Sequence, residues 1–162
     1  MDLGYWLPLF FAGAMGLALL IYVILDGYDL GIGMLLPFAS DDEKDVMVAA
    51  IGPFWDANET WIVLGVGILL IAFPQAHSIV LTSLYLPVTL MLMGLILRGV
   101  AFDFRVKAGD KHKAKWNRLF AFGSLVASVS QGWMLGAFVT GLTGDATSTL
   151  FAALIAVALP AL

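Results

Sequence analysis

The segment Gly52-Pro-Phe-Trp-Asp-Ala-Asn-Glu-Thr-Trp61 leads directly into Ile62–Phe73, an apolar run without a charged residue. Together the two stretches predict a transmembrane helix over about 53–73. Asp56 and Glu59 stand at the mouth of the run, three residues apart and so on one face of a helix. A carboxylate at the edge of hydrocarbon is costly unless it faces protein or water. These acids therefore either form a structural polar network or handle protons or cations.

The composition of the whole chain extends this interpretation to a membrane protein. Of 162 residues, 61% are hydrophobic and 12% are charged, about half the charged fraction of an ordinary soluble domain. The charge-free runs are too long for the strands of a membrane barrel, which alternate over about ten residues. The chain has no cysteine, which excludes disulfides and thiolate metal sites. The predicted fold class is an all-α integral membrane protein.

The apolar runs predict four full spans and a truncated fifth, in one transmembrane bundle domain over 1–162. The helices are expected at about 5–33, 53–73, 78–102, 119–142 and 148–162. A solvated acidic loop is expected at 39–45, and a basic loop before Arg118. Because the last run is about five residues short of a span, the chain is expected to be the N-terminal part of a longer subunit.

The distribution of basic residues predicts the orientation. Six of the eight lysines and arginines lie in the loop after the third predicted span: Arg105, Lys107, Lys111, Lys113, Lys115 and Arg118. Basic loops stay on the cytoplasmic side of a membrane. We therefore expect a multi-pass membrane protein whose basic side is cytoplasmic and whose N-terminus faces outward.

Ionisable residues near the cytoplasmic ends of the first three spans form the candidate site. They are Asp26, Asp29, Asp56, Glu59, Arg98, Asp103 and Lys107. Carboxylates at this depth, bridged by water, can relay protons. The same residues can instead be a static network that locks three helices together, with Asn58, Arg98 and Trp55 as structural polar groups. Composition leaves both interpretations open.

Cofactor ligands are scarce in this sequence. Histidine or methionine usually holds a haem in a membrane bundle. His77 and His112 lie in predicted turns or loops, and Met91 and Met93 are interpreted as packing residues. We expect this chain to ligate no haem and no metal, whereas a structural quinone is compatible with its apolar surface. From the residues alone, a subunit of a proton-consuming respiratory complex and a cation- or proton-coupled secondary transporter both remain open.

Three motifs together resemble subunit II of the cytochrome bd-type quinol oxidases, in its cyanide-insensitive branch. The motifs are Asp26-Gly-Tyr-Asp29-Leu-Gly-Ile-Gly33, Pro53-Phe-Trp-Asp56-Ala-Asn58-Glu-Thr-Trp61 and Leu97-Arg98-Gly-Val-Ala-Phe-Asp103-Phe-Arg105. The resemblance implies a complex that oxidises quinol and reduces dioxygen to water. Haems b and d, or b alone, would lie in the partner, subunit I. Other expected partners are membrane lipid and small single-helix subunits, but no nucleic acid.

The resemblance also implies roles for individual residues. Asp56 occupies the position of an acid that lines a proton path toward the haems, and Asp103 and Lys107 match two further residues of that path. Asp103 stands where many members of the family have glutamate. Trp61 matches a tryptophan beside a proposed oxygen route. The resemblance assigns no individual steps to the remaining acids of the candidate proton path: Asp26, Asp29 and Glu59.

Overall fold

The computed structural model describes residues 2–139, and its spans are helical. The helices are α1 (Leu3–Leu35), α2 (Asp41–Ile51), α3 (Trp55–Ala72), α4 (Pro74–Ser83), α5 (Tyr85–Lys107) and α6 (Asp110–Val139). A 3-10 turn at Leu36–Phe38 follows α1. Four segments are long and apolar enough to cross a membrane: Leu3–Phe38, Trp55–Ala72, Tyr85–Lys107 and His112–Val139. The predicted all-α membrane bundle with four spans is confirmed, whereas the predicted fifth helix at 148–162 lies outside the described residues.

The four spans pack as a bundle in which α1 contacts both α3 and α6, and α5 runs along α6. The α5–α6 crossing is close at Gly94 and Gly123. A methyl group at Gly94 would lie 2.8 Å from the backbone nitrogen of Ala127 and 2.8 Å from the carbonyl oxygen of Gly123. The two backbones touch here because neither glycine carries a side chain.

The acidic segment predicted as a loop at 39–45 is instead the start of a helix. The Ser40 hydroxyl accepts a hydrogen bond from the Glu43 amide, and the Glu43 carboxylate accepts one from the Ser40 amide. This capping box satisfies amides that lack partners inside the helix. The hydrogen bond that the Ser40 hydroxyl donates to the Glu43 carboxylate at 2.7 Å, followed by the one from the Ser40 amide, lowers the pKa of the exposed Glu43 carboxyl from its ordinary value of 4.5. Farther along α2, Val48 and Ile51 are buried in an apolar cluster.

Two helix boundaries in the middle of the chain also differ from the prediction. The second span begins at Trp55 rather than at 53, because Phe54 leaves the helical backbone conformation, with φ −126° and ψ −18°. The span predicted as continuous over 78–102 is divided at Leu84 into α4 and α5. Pro87 explains this break, since its ring nitrogen cannot donate to the carbonyl of Ser83, the last residue of α4.

The terminal helices begin earlier than predicted. Asp2 caps α1 by accepting a hydrogen bond from the Gly4 amide at 3.2 Å, so that helix starts at Leu3. The segment predicted as a basic loop before Arg118 is helical from Asp110 onward. Lysine, alanine and arginine favour helices in water, so a helix can begin outside the membrane. The apolar run that begins near residue 119 therefore marks the expected membrane boundary, whereas α6 begins earlier, at Asp110.

Candidate functional site

A buried ion-pair cluster joins three of the four spans. Asp26 on α1 and Arg98 on α5 are 0% and 1% exposed. Nη2 of Arg98 donates hydrogen bonds both to Oδ1 of Asp26 and to Oε1 of Glu59 on α3. The Glu59 side chain keeps 23% of its surface exposed. One guanidinium therefore connects a fully enclosed carboxylate with a carboxylate that still reaches the surface of the chain.

A second contact between α1 and α3 lies beside this cluster. Asp29 follows Asp26 by one helical turn and is 1% exposed. Its Oδ2 accepts a hydrogen bond from Nδ2 of Asn58 at 2.9 Å. Asn58 thus binds Asp29, and its neighbour Glu59 binds Arg98. From here on, Asp26, Asp29, Asn58, Glu59 and Arg98 are called the acidic cluster.

The acidic cluster is not balanced in formal charge. It contains three carboxyl groups and a single guanidinium, so full ionisation would leave an excess of two negative charges. Burying ions away from water costs several kcal/mol for each uncompensated ion. A static structural pair would need one acid for one base. The excess of buried acid is what makes this cluster a candidate for chemistry as well as for bracing.

Two further polar residues extend the cluster along α1 and α6. Tyr22 is buried one turn before Asp26, and its hydroxyl faces the Asp26 carboxylate. Nε2 of Gln131 on α6 donates a hydrogen bond to Oη of Tyr22 at 2.6 Å. The site prediction omitted both residues. The sequence features that could have indicated them are the position of Tyr22 four residues before Asp26, and the presence of the Gln131 amide within an apolar run.

The other predicted site residues lie outside this cluster. Asp56 is exposed in the first turn of α3, one turn before Glu59. Asp103 and Lys107 are exposed toward the end of α5. Trp61 is half-buried on α3. In the described chain, therefore, the predicted proton-path residues divide into two buried acids (Asp26 and Asp29), one half-buried acid (Glu59) and three exposed groups.

Trp55 is half-buried at the start of α3 and has a packing role. Its ring lies 5.1 Å from the ring of Phe102, and its edge faces Gly99, where a methyl group would lie 3.3 Å away. Both contacts lie on α5. Trp55 thereby fixes the beginning of α3 against the same helix that carries Arg98.

A second ionic site, which the sequence analysis did not predict, fastens α2 to α5 and α6. Asp45 accepts hydrogen bonds from Nη2 of Arg105 at 2.7 Å and from Nζ of Lys113 at 3.3 Å. Nε of Arg105 also donates to Oδ1 of Asn117. The two cationic partners hold the pKa of the Asp45 carboxyl below its ordinary value of 3.8. Asp45 had been assigned to a loop, so its pairing with distant helices had no sequence signal.

Groups able to hold a metal or haem do not converge in the described part of the chain. Residues 2–139 contain no group of three or more histidine, cysteine, aspartate or glutamate side chains arranged for a metal ion. His77 lies on the short helix α4 and His112 near the exposed beginning of α6. Met91 is buried against Leu95 and Ala127. The side chains that the structure brings together are suited to ion pairs and proton exchange.

Comparison with known proteins agrees with the motifs quoted above. Residues 7–162 match the sequence model of the cytochrome bd terminal oxidase subunit II family. The chain is 36% identical over 134 residues to cytochrome bd ubiquinol oxidase subunit 2 of Bacillus subtilis (strain 168), which covers 81% of this chain. It is 30% identical over 124 residues to cytochrome bd-I ubiquinol oxidase subunit 2 of Escherichia coli (strain K12), and this aligned region covers 75% of the chain.

These relatives are longer proteins. The matched region represents 40% of the Bacillus subtilis protein and 32% of the Escherichia coli protein. The family match nevertheless extends over nearly all of this chain, including the segments that form the acidic cluster. The chain therefore belongs to the cytochrome bd terminal oxidase subunit II family.

Proposed function

We propose that this chain is the N-terminal part of subunit II of a bd-type terminal oxidase, which oxidises quinol and reduces dioxygen to water. Within that complex the chain would supply a cytoplasmic proton path and an interface to subunit I, the haem-bearing partner. The family membership supports the choice of complex. The acidic cluster is the single observation that carries the proposed role of this chain.

The proton role follows from the charge excess of the acidic cluster. The cluster holds three buried or half-buried carboxyl groups and one guanidinium, which pairs with Asp26 and Glu59 while Asp29 binds Asn58. Bound protons are the simplest way to remove the excess charge. Glu59 is the member that still reaches the surface, and Asp26 is the most enclosed. We propose that protons enter near Glu59 and exchange with the enclosed acids.

The exposed groups fit a path that is completed at a subunit interface. Asp56, Asp103 and Lys107 lie on the surface of this chain. Charged groups on membrane helices usually face protein or water rather than lipid. We propose that subunit I covers this surface and that the three groups then line the entry of the path. The basic residues at the end of α5 and the beginning of α6 support an entry at the cytoplasmic face, with the N-terminus in the periplasm of an inner membrane.

We propose that the haems, b and d or b alone, belong to subunit I. The ligand types that usually hold haem lie apart in the described residues, with His77 on α4, His112 near the beginning of α6 and Met91 in an apolar cluster, which supports this assignment. When bound in subunit I, the haems would carry electrons from quinol to dioxygen. Trp61, half-buried on α3, would border an apolar route for oxygen at the shared surface. A structural quinone and small single-helix subunits are further candidate occupants of the exposed apolar faces.

Substitution of single carboxyl groups tests the proposed path in the complete complex. Full-length subunit II is produced with subunit I, and Asp26→Asn and Asp56→Asn are compared with Asp42→Asn, an exposed acid on α2. Haem spectra report assembly, quinol-dependent oxygen consumption reports turnover, and proteoliposomes report proton uptake. We expect both path variants to keep their haems and to lose turnover at least about tenfold, equivalent to about 1.4 kcal/mol in the activation barrier.

The control and the alternatives separate the outcomes. Asp42→Asn is expected to match the wild type in all three measurements. Wild-type turnover and proton uptake in Asp26→Asn and Asp56→Asn would show that the acids only brace the bundle. A purified complex without haem and without oxygen consumption would reject the oxidase assignment itself.

A further inference from the structure

Several buried polar atoms between α1, α5 and α6 have no partner in the described chain. They are Oδ2 of Asp26, Nε and Nη1 of Arg98, and the hydroxyl oxygens of Ser124 and Ser128. All four residues are at most 2% exposed. A buried polar group without a hydrogen bond costs about 1–3 kcal/mol. Five such atoms in one part of a bundle call for a specific explanation.

Covalent geometry and helix packing bring most of these atoms to one level. Nη2 of Arg98 is bonded to Oδ1 of Asp26, so the free atoms of the same two groups lie close to each other. An arginine side chain on a helix extends toward the turn before its own Cα, here toward Gly94. Gly94 contacts Ala127, the neighbour of Ser128. The free nitrogens of Arg98 are thereby directed to the level of Ser128.

The contacts between α1 and α6 give the same register. A methyl group at Gly33 would lie 2.0 Å from Oγ of Ser124, and Gln131 binds Tyr22 at the other end of the interface. The two helices run in opposite directions. Ser128, which lies between Ser124 and Gln131 on α6, is consequently opposite the part of α1 that contains Asp26.

We propose that ordered water binds between α1, α5 and α6, held by Oδ2 of Asp26, Nε and Nη1 of Arg98 and the hydroxyl of Ser128. A water molecule donates two hydrogen bonds and accepts two, so it can donate to the free carboxylate oxygen while it accepts from one guanidinium nitrogen. Nε and Nη1 point away from different edges of the guanidinium, so each of these nitrogens takes its own water molecule. An anion is disfavoured because acids outnumber bases in the cluster. A cation is disfavoured because the site is centred on the guanidinium of Arg98.

The water connects the acidic cluster with the Tyr22–Gln131 pair. Tyr22 faces the same Asp26 carboxylate that would bind the water. The result is a series of hydrogen-bonding groups that runs from Glu59 at the edge of the bundle, through Arg98 and Asp26, to Tyr22 and Gln131. This water site depends only on the packing of this chain and stands apart from the proposed oxidase activity.

A structure of the complete complex at a resolution that shows water is the direct test. We expect density within about 3.2 Å of Oδ2 of Asp26 and of a free Arg98 nitrogen. Ser128→Val removes the hydroxyl and fills the space, so it should lose that density. Ser130→Val is the matched control, because the Ser130 hydroxyl is equally buried but already bonded to the carbonyl of Val126 at 2.7 Å.

The outcomes distinguish this inference from the proposed function. Density that is absent in the wild type, or unchanged in Ser128→Val, overturns the water site. Arg98 nitrogens bonded directly to protein groups also overturn it. Oxygen consumption by the wild-type complex is measured on the same preparation, so loss of the oxidase assignment would appear there and not in the water density. If Ser128→Val does not assemble, the wild-type density alone decides.

Discussion

Replacement of Arg98 with methionine tests whether the acidic cluster behaves as one coupled network. The substitution keeps a long, flexible side chain but removes the guanidinium that pairs with both Asp26 and Glu59. Asp26 is 0% exposed, so its carboxylate would remain enclosed without a cation. Breaking a buried pair by removing one partner costs about 3–5 kcal/mol. We therefore expect Arg98→Met to be strongly destabilising.

The companion variant Asp26→Asn should cost less. Arg98 then keeps Glu59 as its partner, and the asparagine still accepts a hydrogen bond. The expected loss is about 1–3 kcal/mol, that of a weakened hydrogen bond to a charged group. The double variant has no carboxylate at position 26, so removal of Arg98 leaves no unpaired charge there. Its destabilisation should fall short of the sum of the two single values by about 0.5–3 kcal/mol.

The assay is the half-life of the detergent-solubilised complex at a fixed elevated temperature, followed by intrinsic fluorescence. A rate is the suitable quantity, because large membrane complexes unfold irreversibly. If half of the expected 3–5 kcal/mol appears in the unfolding barrier, Arg98→Met unfolds more than about tenfold faster than the wild type. Strictly additive effects of the two substitutions, or a wild-type half-life for Arg98→Met, would refute the coupled network.

Gly94→Ala should destabilise the bundle by about 1–3 kcal/mol, because the new methyl group would lie 2.8 Å from the backbone of α6. Gly67→Ala is the control and should be neutral or slightly stabilising, because its methyl group would meet no atom of a neighbouring element within 4 Å. The midpoints of thermal unfolding of the two variants are compared with that of the wild type. Asp45→Asn should reduce the hydrogen-exchange protection of α2 at pH 7, since it removes the carboxylate that binds Arg105 and Lys113. Because the pKa of Asp45 is lowered, its stabilisation is complete above its unfolded pKa of about 3.8 and is lost as the pH falls through the folded value. Protection in Asp45→Asn and the wild type should then converge once the pH has fallen through the folded pKa of Asp45; a difference that persists under those acid conditions would contradict the ion-pair explanation.

Apolar runs made the four spans predictable, because a helix is one of the few structures that satisfies its backbone within lipid. Hydropathy reports where the membrane lies, however, and not where a helix begins or ends. The short helix α2 was missed for this reason, although Ser40 and Glu43 stand at capping-box spacing. The break at Leu84 was missed because it falls within apolar sequence, and Pro87 was the only available signal.

The candidate site was predictable in composition and only partly in arrangement. Charge in an apolar run identified Asp26, Glu59 and Arg98, and the structure joins these three. The choice of partners was not predictable, because it depends on how α1, α3 and α5 are rotated about their axes. Gln131 illustrates the limit, since its partner Tyr22 lies on a helix more than a hundred residues away in the chain.

The backbone contact between α5 and α6 restricts how this bundle can move. With Gly94 and Gly123 pressed against the facing main chain, neither helix can slide or turn past the other without a steric collision. This packing fixes the helix that carries Arg98 against α6, while every acid of the cluster is carried by α1 or α3. A small displacement of α1 and α3 would lengthen or shorten the distance between the acids and one stationary positive charge. Movement of α1 and α3 relative to α5 would therefore change the electrostatic energy of the ion pairs that Arg98 forms with Asp26 and Glu59.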